Sequence, residues 1–327
     1  MKETDLIYKV ASLYFEDNLT QQQIAGKMGI SRIKVSRLLQ QARNKGIVEI
    51  SLKKPLQNYT EEEKVIAGKW NLKEVILAVP ETDTIENLLK SLGETASLYA
   101  QRILDGDEVI SMAWGKTLAA FAQAFPKLDL PKLRIVQMLG GLGSPEAQEH
   151  SSDLVRRLAE KTGGKGRILS APGVVSSYEV RNGLLEDSHI RKTLEMAAGA
   201  DIAFVGIGNA STNSMLMSQG QILPEDTLAS IKERGGVGDI SLRFLNIHGE
   251  VISHSIKDRI IGISDIEIKK IPRVIAVAGG NEKYEAIQGA LESGLLDVLI
   301  TDYETGKKLM DSGRQQVGCS AMQPKEI

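Results

Sequence analysis

Seven short runs rich in β-branched residues, each followed by a stretch with helical periodicity, constrain this 327-residue chain more than any other feature. They are "EVILAV" (74–79), "EVISMAW" (108–114), "RIVQML" (134–139), "RILSAP" (167–172), "DIAFVGIG" (201–208), "RVIAVAGG" (273–280) and "DVLITD" (297–302). Strand alternating with helix predicts a mostly parallel sheet covered by helices on both faces. Several runs end in glycine: Gly115, Gly140-Gly141-Leu142-Gly143, Gly206-Ile207-Gly208 and Gly279-Gly280. In open α/β sheets the ligand crevice lies beyond the carboxyl ends of the strands. Glycine there lets backbone N–H groups approach an anion, and the next helix adds the positive end of its dipole. The common nucleotide motifs are absent. "WGKT" would need a glycine at position 110 to form a P-loop, and Ile110 stands there; "GIGNAS" and "GLGSPE" lack the third glycine of a dinucleotide fingerprint. No cofactor is expected.

The first 54 residues have a different character. They hold ten Lys/Arg against five acids, leaving 30 against 37 for the rest out of the chain's 40 and 42. From Lys27 to Lys54 there are eight cations and a single acid, Glu49. A basic module on an acidic body suits a chain that meets a polyanion with one end. Within "LTQQQIAGKMGISRIKVSRLLQQARNKGIVEI" (19–50), a helix from Thr20 carries Ile24, Ala25 and Met28 on one face and stops at Gly29; Ser31 then caps a second helix. The outline is helix, tight turn, helix. At about 100° per residue, Val35, Leu38, Leu39 and Ala42 share one face of the second helix, while Ile33, Arg37, Gln40, Gln41 and Asn44 share the other. Arg pairs with guanine and Asn or Gln with adenine through two hydrogen bonds each, so the polar face suits base edges. Arg32 and Lys34, at the helix start, suit phosphates, with Ser36 beside them. Ile47 to Leu52 alternates like a short strand and would form a wing, and Leu6 to Phe15 supplies a third helix to the small core.

Pro55, the turn residues Asn58 to Thr60 and the acid run Glu61 to Glu63 mark a boundary. The expected organisation is a DNA-binding domain over residues 1–54, a linker over 55–60 and a larger α/β domain over 61–327. A mean hydropathy of −0.13, no apolar run near the length of a membrane span, the charged N-terminus (Lys2, Glu3, Asp5, Lys9) and a single cysteine, Cys319, lead to the expectation of a cytoplasmic protein without a membrane partner. With 4% aromatic residues, stacking on single-stranded nucleic acid is a poor fit, and duplex DNA is the expected partner.

The string "SRIKVSRLLQQAR" followed by "GIVEI" resembles the DNA-binding end of the SorC family of sugar-binding bacterial transcriptional regulators. The likeness extends through "LSAPGVVSSYEVRNGLLEDSHIRKTLEMAAGADIAFVGIGNAS", "GGVGDISLRFLNIHGEVI", "RIIGISDIEIKKIPRVIAVAGGNEKYEAIQGAL" and "VLITDYETGKKL". It implies an N-terminal winged helix-turn-helix joined to a larger α/β Rossmann-like effector domain related to sugar-phosphate isomerases and deaminases. It also implies a phosphorylated sugar as effector, a homodimer or homotetramer, and a palindromic operator. The family's phosphate site matches the Gly115-Lys116-Thr117 turn and Lys283; Asp239, in the "GxVGD" turn, matches its acceptor for sugar hydroxyls; Gly140, Gly141, Gly143 and Ser144 match the loop that closes on the sugar or its second phosphate. Gly206 and Gly208 belong to the same set of strand-ending turns. Many relatives carry two hydroxyl residues after the glycine at 115, where this chain has Lys116 and Thr117.

Two other readings stay open. An isomerase or deaminase bearing a DNA-binding extension would need an acid/base pair, and Asp239 is the one acid with a claim to the crevice. A regulator of an unphosphorylated polyol would need no anion site. A metal pair at Glu146 and His150 has helical i, i+4 spacing, with Glu149 and Asp153 close by, but no other His or Cys is grouped nearby in sequence, and His189, His248 and His254 belong to no nucleophile motif. Asp105-Gly106-Asp107 reads as a turn.

Overall fold

In the computed structural model the described residues are 3–48, 59–141, 151–210 and 225–312. The chain divides into two compact units, residues 1–58 and 59–327.

The first unit holds three helices, α1 (Glu3–Phe15), α2 (Gln21–Met28) and α3 (Arg32–Asn44). Local chemistry fixes their ends. Thr20 and Gln23 form a reciprocal capping box that starts α2, with the Gln23 N–H on the Thr20 hydroxyl at 3.3 Å and the Thr20 N–H on Gln23 Oε1 at 2.9 Å. Gly29, at φ 65°, takes the left-handed conformation that ends α2, and the Ser31 hydroxyl then accepts the Lys34 N–H at 3.2 Å to start α3. Ile7, Val10, Ile24, Val35, Leu38, Leu39 and Ala42 close the core. Beyond α3, the N–H groups of Ile47 and Val48 both turn back to the Ala42 carbonyl; Glu49 to Leu52, where the predicted strand continues, lie outside the described residues, as do the linker positions 55–58.

In the second unit the helices, in chain order, are α4 (Thr60–Trp70), α5 (Ile85–Ile103), α6 (Lys116–Ala124), α7 (Ser151–Thr162), α8 (Tyr178–Glu186), α9 (Ser188–Ala198), α10 (Glu225–Glu233), α11 (Asp265–Ile268), α12 (Tyr284–Glu292) and α13 (Tyr303–Asp311). The strands are β1 (Glu74–Ala78), β2 (Val109–Met112), β3 (Arg134–Gln137), β4 (Lys165–Arg167), β5 (Ile202–Gly206), β6 (Gly208–Asn209), β7 (Gly236–Ile240), β8 (Arg243–Asn246), β9 (Arg273–Val277) and β10 (Val298–Asp302). Seven of them form one sheet in the order β1-β10-β9-β5-β2-β3-β4, with every neighbouring pair parallel. The expected mostly parallel α/β architecture is therefore present. The chain runs from β2 outward to β4 and then returns to place β5 on the other side of β2, so the strand order reverses between β2 and β5.

Two features depart from the sequence reading. The fourth strand lies at Lys165–Arg167, not 167–172. Its ladder ends early because the Leu169 N–H is taken by the Gln137 side chain at 3.1 Å in place of a strand carbonyl. The second is an unforeseen three-stranded antiparallel sheet, β6-β7-β8, which makes Asp239 a strand residue opposite Gly208 and Phe244. Ser241 and Leu242 form the tight connection from β7 to β8 with φ of 50° and 64°. Positive φ at both central residues matches the twist of the flanking strands but strains a leucine. The Asp239 carboxylate offsets that strain by accepting the Leu242 N–H at 2.9 Å.

Candidate functional site

The strand reversal between β2 and β5 is where an open α/β sheet leaves room for a ligand, and a cavity of about 260 Å³ opens there. Gly115, Lys116 and Thr117 border it after β2, Gly206 at the end of β5, Gly208 at the start of β6, Asp239 from β7, and Lys283 from a short 3₁₀ turn, Asn281–Lys283, after β9. Seven residues picked out in the sequence thus line one space, although up to 168 positions separate them.

Each is held there by an identifiable cause. Gly115, at φ 124°, turns the chain from β2 into α6 and caps the helix without any side-chain hydrogen bond, so the first N–H groups of α6 keep no side-chain acceptor. Thr117 is buried, and its hydroxyl donates to the Val277 carbonyl at 2.8 Å, tying α6 to β9. That proton is therefore committed to the scaffold, and only the oxygen lone pairs remain. A side chain at Gly208 would collide with Asp239 Oδ1, so the glycine leaves room for the carboxylate. Lys283 reaches across to donate to the Ile207 carbonyl at 2.9 Å.

The electrostatics are unusual for so small a space. Asp239 is only 5% exposed, and burial pushes its carboxyl up to about 6 against the pull of the Leu242 N–H, Lys283 and Arg243. The half-buried Lys283 ammonium is pushed down by burial, with Asp239 opposing and Lys116 adding to the shift. Both groups pay desolvation without a ligand. An anion near Lys283 and Lys116 would favour their charged forms, while Asp239 offers an oxygen acceptor to a neutral hydroxyl.

The glycine loop after β3 plays another part. Gly140 and Gly141 do not line the cavity, and their N–H groups are already bound, to Ile261 O and Ala171 O, each at 2.9 Å. A side chain at Gly140 would strike the Pro172 carbonyl, so this glycine serves close backbone packing. Of the loop Gly140 to Ser144, expected to close on the sugar or its second phosphate, only these first two glycines are described, and their N–H groups serve the scaffold. Gly143, Ser144, Glu146 and His150 lie outside the described residues, and among the described residues no three metal-ligating side chains come together. His254 is half-buried against the Phe244 ring and does not line the cavity.

Sequence reasoning missed the apolar wall, formed by Ile85, Leu88 and Leu89 at the start of α5 together with Trp114. Its only sequence signal is the i, i+3, i+4 spacing of the three aliphatic residues, which also describes ordinary core. Gly279 also borders the cavity, and its place after the sixth β-branched run was a usable clue.

On α3, Arg32, Lys34, Ser36, Arg37 and Gln40 are exposed, and Gln41 is half-buried. Gln40 Nε2 donates to Asn44 Oδ1 at 3.3 Å, holding the amide on the outer face. Among the described residues no helix is long and apolar enough to cross a membrane.

Residues 54–311 match the family described as "Putative sugar-binding domain", and residues 9–45 match "Sigma-70, region 4". The chain is 30% identical over 310 residues to the erythritol catabolism regulatory protein EryD of Brucella abortus, covering 94% of this chain and 97% of that one. It is 29% identical over 310 residues to the deoxyribonucleoside regulator of Bacillus subtilis, covering 95% and 98%. The crystal structure of the full-length sorbitol operon regulator SorC from Klebsiella pneumoniae superposes with a TM-score of 0.72 at 27% identity, over 95% of this chain and 100% of that one. Matching at both ends and in fold, the chain belongs to the SorC family of sugar-binding, DNA-binding transcriptional regulators.

Proposed function

We propose that this regulator binds operator DNA through α3 and that a phosphorylated sugar in the cavity at the β2/β5 reversal sets its affinity for that DNA. One observation carries the reading: the uncapped start of α6 at Gly115 opens on the same small cavity as Lys116, Lys283 and the buried Asp239. Backbone donors, two cations and the helix dipole suit a phosphate of about two negative charges. Asp239 suits the sugar hydroxyls. Arg37, Gln40 and Gln41 would read base edges, with Arg32, Lys34 and Ser36 on phosphates. A symmetric homo-oligomer would present two such helices to a palindrome.

Catalysis is not part of this reading. Asp239 and Glu282 are the acids at the cavity, and Asp239 is engaged with the backbone of its own hairpin turn, which leaves no evident acid/base pair. A second reading, a plain polyol as effector, is favoured by the committed Thr117 proton, which removes one donor from the phosphate site, and by the sorbitol and erythritol in the names of two relatives. Thermal-shift screening separates the two. A ligand at 100 times its Kd stabilises by roughly 2.7 kcal/mol, so a phosphorylated sugar that raises Tm while its unphosphorylated parent does not supports the first reading. The reverse order supports the second.

A further inference from the structure

In the N-terminal unit one large aliphatic side chain on α3 is left out of the core. Ile33 is 68% exposed, in the first turn, whereas Val35, Leu38, Leu39 and Ala42 of the same helix are buried. A lone exposed apolar residue is ordinary on a protein surface, but this one stands among charges. Arg32 and Lys34 flank it, and Arg37, one turn on, shares its face. A β-branched side chain also lowers helix propensity slightly, so nothing local favours isoleucine at an exposed position.

The position is the one from which a recognition helix meets bases. In helix-turn-helix proteins the N-terminal residues of the second helix contact base edges in the major groove. There thymine alone presents an apolar group, its 5-methyl, and apolar side chains pair with it. Cations on either side would seat on phosphates or guanine, and water would leave the isoleucine as the helix enters. A side chain stiff at χ1 loses little freedom on docking. We propose that Ile33 is a specificity-determining residue that reads a thymine methyl in each operator half-site. The proposal rests on α3 being the DNA-reading helix.

Replacing thymine by uracil removes only the methyl and leaves every hydrogen bond in place, so it isolates this contact. The full-length protein selects a duplex from a randomised pool, and binding is then measured on duplexes carrying one thymine-to-uracil change at a time, for wild type and for Ile33→Ala. Burial of a single methyl group corresponds to about a fourfold change in affinity. We expect one thymine per half-site whose replacement weakens wild-type binding by that factor and leaves Ile33→Ala unaffected. Because Ile33 lies outside the core, the variant should match wild type in its thermal melt and in its affinity for random DNA. Equal uracil sensitivity of both proteins at every position overturns the role of Ile33 alone. Failure of the wild type to enrich any duplex overturns the DNA-reading role of α3 and this proposal with it.

Discussion

Asp239 is held where its charge is costly, and the cost can be measured. Its carboxyl titrates at about 6 in the fold instead of 3.8, with burial as the leading cause. The neutral form is favoured by folding, so this contribution to stability is complete below the unfolded value and is lost as pH rises through the folded one. Above both values the penalty is on the order of 3 kcal/mol. Asp239→Asn keeps an oxygen for the Leu242 N–H and removes the charge. Without effector, its Tm should exceed that of wild type at pH 7.5, and the gap should close toward pH 4. A Tm gap that stays constant or widens on acidification would show that ionisation of Asp239 costs the fold nothing. At this scale the sequence revealed residue type but not surroundings. Lys283 and Asp239 could be named as binding groups from family resemblance, while the Thr117 commitment to Val277 and the Asp239 bond to Leu242 depend on contacts 160 and 3 positions away that no local pattern encodes.

The elements were legible wherever one physical signal dominated. Parallel strands buried on both faces read as continuous apolar runs, and the helix ends at Thr20, Gly29 and Ser31 are written in capping chemistry. The β6-β7-β8 sheet was illegible because "GGVGDI" is dense in glycine, which signals a turn. Glycines of this sheet allow close approach instead: Gly238 in that string and Gly208 on the neighbouring strand stand where a side chain would meet Ala286 and Asp239 respectively. Gly208→Ala should therefore displace the Asp239 carboxylate while leaving the seven-stranded sheet intact. The expected result is a folded protein with a lowered Tm, by roughly 1–3 kcal/mol as in overpacking, that has lost discrimination among sugars sharing a phosphate. Unchanged discrimination in calorimetry would remove Asp239 from the hydroxyl site. The start of α5 shows the opposite limit. Ile85, Leu88 and Leu89 follow a plain helical period, and only the tertiary fold turns them toward a cavity.

At the scale of the molecule, two compact units divide the work between DNA and a small ligand. In the sequence, charge, helix periodicity and glycine-ended strands change together near the same place, which is the signal from which a boundary at residues 55–60 was expected. On the DNA side, Arg37→Ala should lose roughly 1–3 kcal/mol on the selected duplex and relax one base preference, whereas Lys34→Ala should weaken all sequences alike and flatten the salt dependence. Equal losses on selected and random DNA for Arg37→Ala would take Arg37 off the reading face. Coupling between the two sites, in the homo-oligomer proposed above, requires the ligand to prefer one of two arrangements, because equal binding to both shifts nothing.

In the proposed function, a phosphate gripped at the Gly115 turn and Lys283 controls operator affinity. Lys283→Met preserves the aliphatic bulk of the side chain and deletes the charge. Operator binding by fluorescence anisotropy, with and without the phosphorylated sugar found by screening, tests the claim in wild type and in this variant. We expect equal operator affinity for both proteins without sugar, a sugar-dependent shift in wild type, and a dose response in Lys283→Met displaced by the equivalent of roughly 1.5–3 kcal/mol, the range for a charged hydrogen bond. An undisplaced dose response in Lys283→Met, or an equal shift produced by the unphosphorylated parent sugar, would contradict it.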